Sequence, residues 1–429
     1  PSNSGSVSTR QAGVTALPFF GAGYEINNNA HVFIAELNSK LSNRINNKLQ
    51  IGYTALRDFR NALTSKDFPM VDILDGNGKP FTSFGYELYT YGNKLNTDVY
   101  QLNDNLTIYS GKHEITLGTQ TSFKRYLNGF SPNYTGTYRF ASLNDFINSA
   151  NGDGTRPIRY DLSYTLGDGP FPLVGPKDFE SGVYAQDKFR VTDKLTLTYG
   201  IRFDYTKFYN TFLYNPVVDT LQQFYNGIHA NTGAAPTTAV QISPRIGFNY
   251  DAYGDQTLQI RGGAGLFQGA PPFVWISNQS SNAGMPGPNF GSLLSGNVNT
   301  NGSSSYVFNP NPDAYRPTTR TALFDSYNIN VTDPNFKFPQ VFKSTLAADK
   351  KLGNGWVVTA EGTYTKNFNA PAFQNVALPS SGLIRLTDGR QRFVNTPGNT
   401  TAVQYPLGGS SAKSITNPAI AQAIYLTNA

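Results

Sequence analysis

The chain has 429 residues, a net charge of +6, 39% hydrophobic residues and no cysteine. The lack of cysteine excludes a disulfide framework and thiolate metal sites, and charge that is spread along the chain argues against nucleic acid as a partner. No window approaches the roughly 18 apolar residues that a membrane-spanning helix requires. Aromatic residues reach 14% while Met and Trp number two each, a balance that favours a thin wall over a dense globular core.

The first part of the chain is weakly patterned and then enters a hairpin. Residues 1–30 form a lead-in, in which 17–26 is a candidate first strand. Residues 31–41 alternate between apolar and other side chains, a polar turn follows, and a return arm carries apolar residues at every second position as far as Ala55. The stretch 57–96, rich in Gly, Pro and aromatics, then predicts a long loop.

The same unit of strand, short turn, strand and long loop recurs along the chain. Further hairpins are predicted to turn at 110–112, 192–194, 253–255 and 353–355, and long loops to cover 124–179, 209–239 and 269–339. Residues 31–370 therefore hold the predicted strands with their long loops. The remainder, 371–429, is a predicted loop-rich continuation of the barrel.

The hairpin at 180–208 has the clearest alternation. Its second strand places apolar or aromatic side chains on one face, namely Leu195, Leu197, Tyr199, Ile201, Phe203 and Tyr205. Every residue between them is small, polar or charged, so one face of the strand is apolar and the other is polar. In the first strand only Asp187 breaks the pattern.

Long loops at one end and short turns at the other are typical of bacterial outer-membrane barrels, with the short turns in the periplasm. The ten-residue rise from Leu195 to Tyr205 spans roughly 23 Å at a tilt of about 45°, close to the apolar band of about 25 Å. The predicted fold is therefore all-β: an antiparallel transmembrane β-barrel wall with long extracellular loops and short periplasmic turns. This fold predicts that the protein lies in the outer membrane of a Gram-negative bacterium, in contact with its lipid bilayer.

Two stretches resemble a known family. The sequences ESGVYAQDKFRVTDKLTLTYGIRFDY, from Glu180, and SPRIGFNYDAYGDQTLQIRGGAGLFQGAPPFVWISNQ, from Ser243, are similar to barrel hairpins of TonB-dependent outer-membrane transporters, and in particular to the Oar-like branch. The resemblance implies a 22-stranded barrel, of which this chain supplies about half. It also implies a plug domain, coupling to TonB, and import of bulky ligands; some Oar-like members are implicated in moving peptides or proteins.

The sequence shows no plug-like segment or TonB box. It opens without Met or a signal peptide and ends inside a pattern, so we expect an internal part of a longer polypeptide. On this interpretation the protein transports a bulky ligand of peptide, protein or glycan type. Its partners include TonB, through a plug outside this chain, and a possible surface lipoprotein or other outer-membrane protein.

Lumen-facing positions follow from the alternation. Those expected to contact a plug or a ligand are Gln186, Lys188, Arg190, Arg202, Asp204, Arg245, Asn249, Gln259 and Arg261. Loop aromatics that could stack on sugars or grip peptides are Phe84, Tyr86, Tyr89, Tyr91, Phe273 and Trp275. Loops that pack only upon themselves are an equally good explanation of these rings.

Catalytic and metal-binding signals are weak. The three histidines, His31, His113 and His229, are scattered and match no catalytic motif, so no enzyme activity and no cofactor are predicted. Acidic loop positions near Asp75 and Asp153 lack the spacing of an EF-hand, and turn chemistry explains them better than calcium.

Three other classes remain open from the sequence. A passive porin or export channel shares the barrel pattern but has no plug. A secreted β-rich adhesin or carbohydrate-binding protein would place the same alternation in a soluble sheet. An outer-membrane hydrolase is the most distant alternative.

Overall fold

The structure is a computed structural model of the chain. It describes residues 2–5, 12–164, 171, 173–209, 212–215, 218, 228–236, 240–281, 283, 292–297, 306–316, 327–376, 383–385, 387, 391–393 and 420–429. Most of the predicted loop 209–239 and much of the predicted stretch 371–429 lie outside these residues. No helix in the described part of the chain is long and apolar enough to cross a bilayer.

In chain order the first eleven strands are β1 (Ser2–Gly5), β2 (Tyr24–Lys40), β3 (Ile45–Ala62), β4 (Met70–Leu74), β5 (Pro80–Phe84), β6 (Lys94–Ser110), β7 (His113–Gly129), β8 (Thr137–Phe140), β9 (Arg159–Tyr164), β10 (Leu173–Val174) and β11 (Lys177–Arg190). The others are β12 (Leu195–Tyr209), β13 (Val240–Asp251), β14 (Leu258–Gln268), β15 (Ser292–Asn297), β16 (Tyr327–Thr332), β17 (Gln340–Lys351), β18 (Val357–Phe368), β19 (Pro371–Asn375), β20 (Leu383–Arg385), β21 (Gln391–Phe393) and β22 (Ile420–Asn428). Two α-helices are described, α1 (Leu143–Ala150) and α2 (Phe273–Ser281), with a short 3-10 helix at Phe20–Ala22.

One 12-stranded sheet forms the wall. Its strands run in the order β1-β2-β3-β6-β7-β11-β12-β13-β14-β17-β18, with β10 added beside β7, and every pairing along it is antiparallel. Five hairpins supply ten of these strands, and their turns are short whereas the connections between hairpins are long. The predicted all-β antiparallel wall with long loops at one end is confirmed.

The apolar face of the wall is more exposed than the polar face. On β12, Ile201 and Phe203 are 39% and 38% exposed. The side chains of Arg202 and Asp204, which lie between them in the sequence, are only 21% and 12% exposed. A soluble sheet would bury the apolar side chains and expose the charged ones. Lipid against one face and a polar interior against the other explain this inverted pattern.

The longest wall strands extend beyond the membrane. β3 has 18 residues, which at a tilt of about 45° rise roughly 40 Å, compared with an apolar band of about 25 Å. The lower part of each long strand, counted from its short turn, therefore crosses the membrane. The upper part stands above it.

The long connections build a folded region above the wall, which we call the loop region. It consists of the five-stranded sheet β15-β9-β8-β4-β5, helix α1 and the packed segment 306–316. Its core contains the buried side chains Val71, Ile73, Tyr138, Phe140, Tyr160, Leu162 and Tyr164. Helix α1 is capped by Ser142, the residue before it, whose hydroxyl accepts a hydrogen bond from the Asp145 amide at 3.2 Å, the usual N-cap arrangement.

Three local features differ from the sequence expectation. The candidate strand at 17–26 is not a strand over its first part, which contains the 3-10 helix Phe20–Ala22. Strand β2 begins only at Tyr24. Pro244 lies within β13, and pairing between β13 and β14 ends at the adjacent Arg245, since proline has no amide hydrogen to continue a ladder. Beyond 370, β19 pairs with β22 and β22 with β16 in a separate three-stranded sheet.

Asp187, which breaks the alternation, faces the lipid side of the wall. Its Oδ2 lies 2.7 Å from His113 Nδ1 and accepts a hydrogen bond from the Tyr199 hydroxyl at 2.7 Å. His113 also stacks on Phe189, with ring centroids 4.3 Å apart. The neighbouring strands thus supply the polar partners that an acidic group on an apolar face requires.

Candidate functional site on the lumen face

A polar cavity of about 500 Å³ lies on the lumen face of the wall. Its lining comes from six wall strands and includes Gln101, Gln120, Lys124, Glu180, Arg202, Asp204, Arg245 and Gln268, together with Phe338, which precedes β17 at its upper end. Since side chains from β6 through β14 meet around one cavity, this face of the sheet is concave. Three of the predicted lumen residues, Arg202, Asp204 and Arg245, line it.

Glycines make room for large side chains on the lumen face, in and beside the cavity. The Tyr184 ring lies flat against Gly118, so that a Cβ atom at Gly118 would overlap it, and its hydroxyl donates a hydrogen bond to Asn105 Oδ1. The guanidinium of Arg202 occupies the equivalent space over Gly182 and lies 5.4 Å from the centre of the Tyr184 ring. These close approaches fix the positions of the aromatic ring and the cation.

Several predicted lumen charges pair within the wall. Arg202 Nε donates to Asp204 Oδ1 at 2.7 Å. Arg261 binds two carboxylates, Asp349 at 2.9 Å and Glu361 at 3.1 Å. Because these groups are already neutralised by neighbouring residues, they need no plug to compensate their charge.

Arg245 differs from these residues. Among the described residues no carboxylate lies within ion-pair distance of its guanidinium, which instead sits 4.6 Å from the centre of the Phe267 ring. Both side chains are exposed. Arg245, which lines the cavity and is supported by the Phe267 ring, therefore presents a cation to whatever occupies the cavity.

The other predicted lumen residues lie elsewhere on the same face. Lys188, Asn249 and Gln259 line a second cavity of about 490 Å³ beside the short turns. Neither Gln186 nor Arg190 lines either cavity. The structure thus separates the nine predicted residues into an upper group, a lower group and isolated positions.

An acidic and basic cluster at the upper rim was missed by sequence reasoning. Lys124 Nζ lies 2.7 Å from Glu180 Oε1 and 3.5 Å from the Asp178 carboxylate, which is almost fully buried. Beside them Tyr126 stacks on Phe273 of α2, with ring centroids 3.3 Å apart. Only the register between β7 and β11, which places Lys124 opposite Asp178, could have revealed this cluster.

Asp178 lies above the membrane-spanning part of β11, and its pKa is raised to about 6 because burial penalises the charged form. Lys124 lowers the pKa and Glu180 raises it. The unfolded chain has a pKa near 3.9 at such a group. Between about pH 4 and pH 6 the folded state therefore binds more protons, so stability is greatest in acid and falls as the pH rises through 6.

We expect Asp178→Asn to remove this pH dependence. At pH 7.5 the variant should be more stable than the wild type by about 2 kcal/mol, because an amide avoids burying a charge while Lys124 keeps its partner Glu180. At pH 4 the two proteins should be alike. Denaturant titration in detergent at both pH values measures this. The control Glu180→Gln should show no gain at pH 7.5, and equal stability of Asp178→Asn and wild type at both pH values would contradict the expectation.

All six predicted loop aromatics are half-buried and contact other rings. The ring pairs are Phe84 with Phe68 and Phe146, Tyr86 with Tyr91, Tyr91 with Tyr134, Tyr89 with Phe130, Phe273 with Tyr126, and Trp275 with Phe373. These contacts organise the loop region. Ligand contact by the exposed parts of these rings stays a prediction.

The acidic loop positions form turns. Asp75 Oδ1 accepts hydrogen bonds from the amides of Asn77 and Lys79 at 2.8 and 3.0 Å, and these bonds lower the pKa of Asp75. Asp153 Oδ1 accepts one from the Thr155 amide at 2.7 Å. Such bonds are typical of Asx turns.

Comparison with known proteins gives a family model described as "Outer membrane beta barrel domain", which matches residues 2–418. No curated protein sequence matches the chain. Among solved structures, the outer membrane transporter YddB from Escherichia coli is 11% identical and superposes with a TM-score of 0.55, covering 100% of this chain and 39% of that one. The alcaligin outer membrane receptor FauA from Bordetella pertussis is 11% identical, and the match covers 84% of this chain and 40% of that one with a TM-score of 0.40. The siderophore receptor PirA from Pseudomonas aeruginosa is 10% identical, and the match covers 95% of this chain and 51% of that one with a TM-score of 0.36.

The chain spans from 39% to 51% of the length of these three structures. At such low identity the likeness to YddB concerns the fold alone, and it agrees with the antiparallel wall. The family match covers nearly the whole chain. The chain therefore belongs to the outer membrane beta barrel domain family and lies in the outer membrane of a Gram-negative bacterium.

Proposed function

We propose that the chain forms wall and external loops of a TonB-dependent outer-membrane transporter of the Oar-like branch, which carries a bulky ligand of peptide, protein or glycan type. The observation that carries the proposal is the polar cavity of about 500 Å³ beneath the loop region. A ligand held there lies inside the wall, below the loop region that faces the cell exterior. Its lining of amides and charges suits a hydrogen-bonding ligand better than an apolar one.

The cavity holds part of a ligand rather than a whole protein. Its volume lies within the range of sites for small molecules, roughly 300–1,000 Å³. A peptide or glycan would therefore place one or a few units in the cavity, against Arg245, while the rest contacts the loop region. Phe273 of α2 packs on Tyr126 beside the upper rim of the cavity, so its exposed part could contact the same ligand.

The lower part of the wall supports contact with a plug. Lys188, whose nearest carboxylate is Glu114 at 3.5 Å, and Arg190 face the lumen near the short turns. Cations with weak partners in a water-filled interior attract an acidic surface. We assign this surface to a plug domain, through which TonB would act, and no enzymatic role is proposed.

The second candidate is a passive or export channel. The internal pairs of Arg202 with Asp204 and of Arg261 with Asp349 favour it, because the wall neutralises these charges without any plug. The loop region, with its own core, would then restrict the channel from outside.

Planar-bilayer conductance of the full-length protein separates the two candidates. A plugged transporter is expected to give no stable conductance and to bind the purified C-terminal domain of TonB in a pull-down from detergent. A passive channel is expected to conduct at once and to leave that domain unbound. Steady conductance without TonB binding would therefore overturn the transporter proposal.

A further inference from the structure

The outward face of the wall carries a row of cations at its upper edge. The row consists of Arg57 on β3, Arg125 on β7, Lys177 on β11 and Lys207 on β12. By the alternation, each shares its face with the lipid-exposed apolar residues of its strand. Arg125, Lys177 and Lys207 are exposed, and Arg57 is half-buried.

All four cations lie at the same height. Counted from the short-turn end of its strand, each is about twelve residues up, which at a tilt of about 45° corresponds to roughly 28 Å. The apolar band of such barrels is about 25 Å tall. The row therefore lies just above the hydrocarbon, at the level of the external headgroups.

An aromatic girdle directly below the row marks this boundary independently. It consists of Tyr53, Tyr100, Phe123, Phe179 and Tyr205, all on the outward face. The Tyr53 and Tyr100 rings lie 5.1 Å apart, and those of Phe179 and Tyr205 lie 6.4 Å apart. Aromatic residues concentrate at the membrane–water interface, so cations just above them meet headgroups rather than acyl chains.

The row is not neutralised by the protein. Arg57 pairs with Asp98 at 2.6 Å, the only carboxylate among the described residues that bonds to a member of the row, and Asp98 also lies opposite Arg125 in the β6–β7 register. Arg57 holds the pKa of Asp98 below its usual range. Lys177 and Lys207 have no carboxylate within 4 Å in the described part of the chain, and Lys177 lies directly opposite Arg125 in the β7–β11 register.

Like charges directly opposite each other on neighbouring strands destabilise a sheet. Asp98 is a single carboxylate shared by Arg57 and Arg125, so three of the four positive charges remain uncompensated. Lys177, opposite Arg125, and Lys207, one diagonal step further along β12, therefore favour an anion from outside the chain. The row faces away from the lumen, so neither a plug nor a transported ligand can supply that anion. What remains at this height and on this face is the external lipid leaflet.

We propose that the row binds the phosphate groups of a phosphorylated glycolipid in the external leaflet. Arg125, Lys177 and Lys207 hold the phosphate, and the aromatic girdle packs against the acyl chains beneath it. Arginine supplies bidentate geometry and lysine a point charge, a combination suited to phosphate. The bound lipid relieves the repulsion between Arg125 and Lys177 and fixes the height of the wall in the membrane.

The test measures binding of lipid A with two phosphates to the full-length protein in uncharged detergent, by native mass spectrometry. The variant Arg125→Gln/Lys177→Gln/Lys207→Gln should bind lipid A about a hundredfold more weakly than the wild type. Each cation is expected to contribute roughly 1 kcal/mol to binding, and about 1.4 kcal/mol corresponds to a tenfold change in affinity. The control Lys66→Gln/Lys79→Gln/Lys351→Gln removes the same charge from exposed positions away from the row. It should bind like the wild type.

Two further measurements show whether the bound group is a lipid phosphate or free phosphate. Dephosphorylated lipid A should bind the wild type as weakly as lipid A binds the triple variant, and millimolar inorganic phosphate should fail to displace lipid A. The single variant Lys177→Gln should bind about fivefold more weakly without loss of thermal stability, which guards against misfolding of the triple variant. Equal binding by the row variant and the control, or full displacement by inorganic phosphate, would overturn the proposal.

Discussion

Gly85→Ala is expected to unfold the loop region while the wall stays folded in the membrane. Gly85 has φ of +98°, which L side chains rarely adopt. A Cβ atom there would also overlap the Pro69 carbonyl oxygen and lie 2.9 Å from the Pro69 carbonyl carbon. Backbone strain and overlap with main-chain atoms that cannot turn aside should together destabilise this region by about 3–5 kcal/mol.

The consequence is large because Gly85 follows directly on β5. β5 pairs with β4, and Phe84 packs against the buried cluster of the loop region. Displacement of Gly85 would pull Phe84 away from Phe68 and Phe146. The wall has a separate hydrogen-bonded sheet, so it should be unaffected.

External protease added to proteoliposomes measures the effect. The Gly85→Ala loops should be cleaved many times faster than those of the wild type, while the wall fragments remain protected by the bilayer. Gly76→Ala is the matched control, since Gly76 has φ of +85° but no atom lies within 4 Å of its Cβ position. It should show only the smaller effect of backbone strain, about 1 kcal/mol. Equal protection of all three proteins would contradict the expected role of Gly85.

The second large effect is expected at the lipid face. Ile201 lies six residues above Leu195 on β12, about 14 Å into an apolar band of about 25 Å. Ile201→Arg should therefore destabilise the barrel by about 2–4 kcal/mol, the usual range for a cation at the bilayer midplane. Unfolding titrations in phospholipid vesicles measure the difference.

Gln120→Arg is the matched control for this substitution. Gln120 lies seven residues above His113 on β7, at nearly the same depth, but lines the cavity on the lumen face. A new cation there remains in water and should change the free energy of unfolding by less than about 1 kcal/mol. If Gln120→Arg proved the more damaging of the two, the assignment of the faces would be reversed.

The wall was predictable because its signals are local. Period-two alternation needs only neighbouring residues, and the contrast between short turns and long loops needs only their lengths. The same alternation predicted that Arg202 and Asp204 share a face, and their ion pair follows from their spacing of two along one strand. The Oar-like branch, the plug and the loop ligand contacts stay predictions.

The rest could not be predicted because it depends on register and on distant segments. Lys124 meets Asp178, and Asp187 meets His113, only once the pairing of β7 with β11 is fixed. The loop region brings β15 against β9 from segments far apart in the chain, in stretches whose composition resembles an unstructured loop. Pro244 was a visible signal: a proline inside a strand pattern indicates an interrupted ladder.

The height of the wall strands has a consequence for how material reaches the membrane. Because β3 and its neighbours keep their interstrand pairing about 15 Å beyond the hydrocarbon, the wall continues above the membrane as a rigid extension. In the proposed transporter, a ligand released by the loop region would move down inside this extension, shielded from diffusion back into the medium. Docking and passage would thereby become successive stages along a single channel axis.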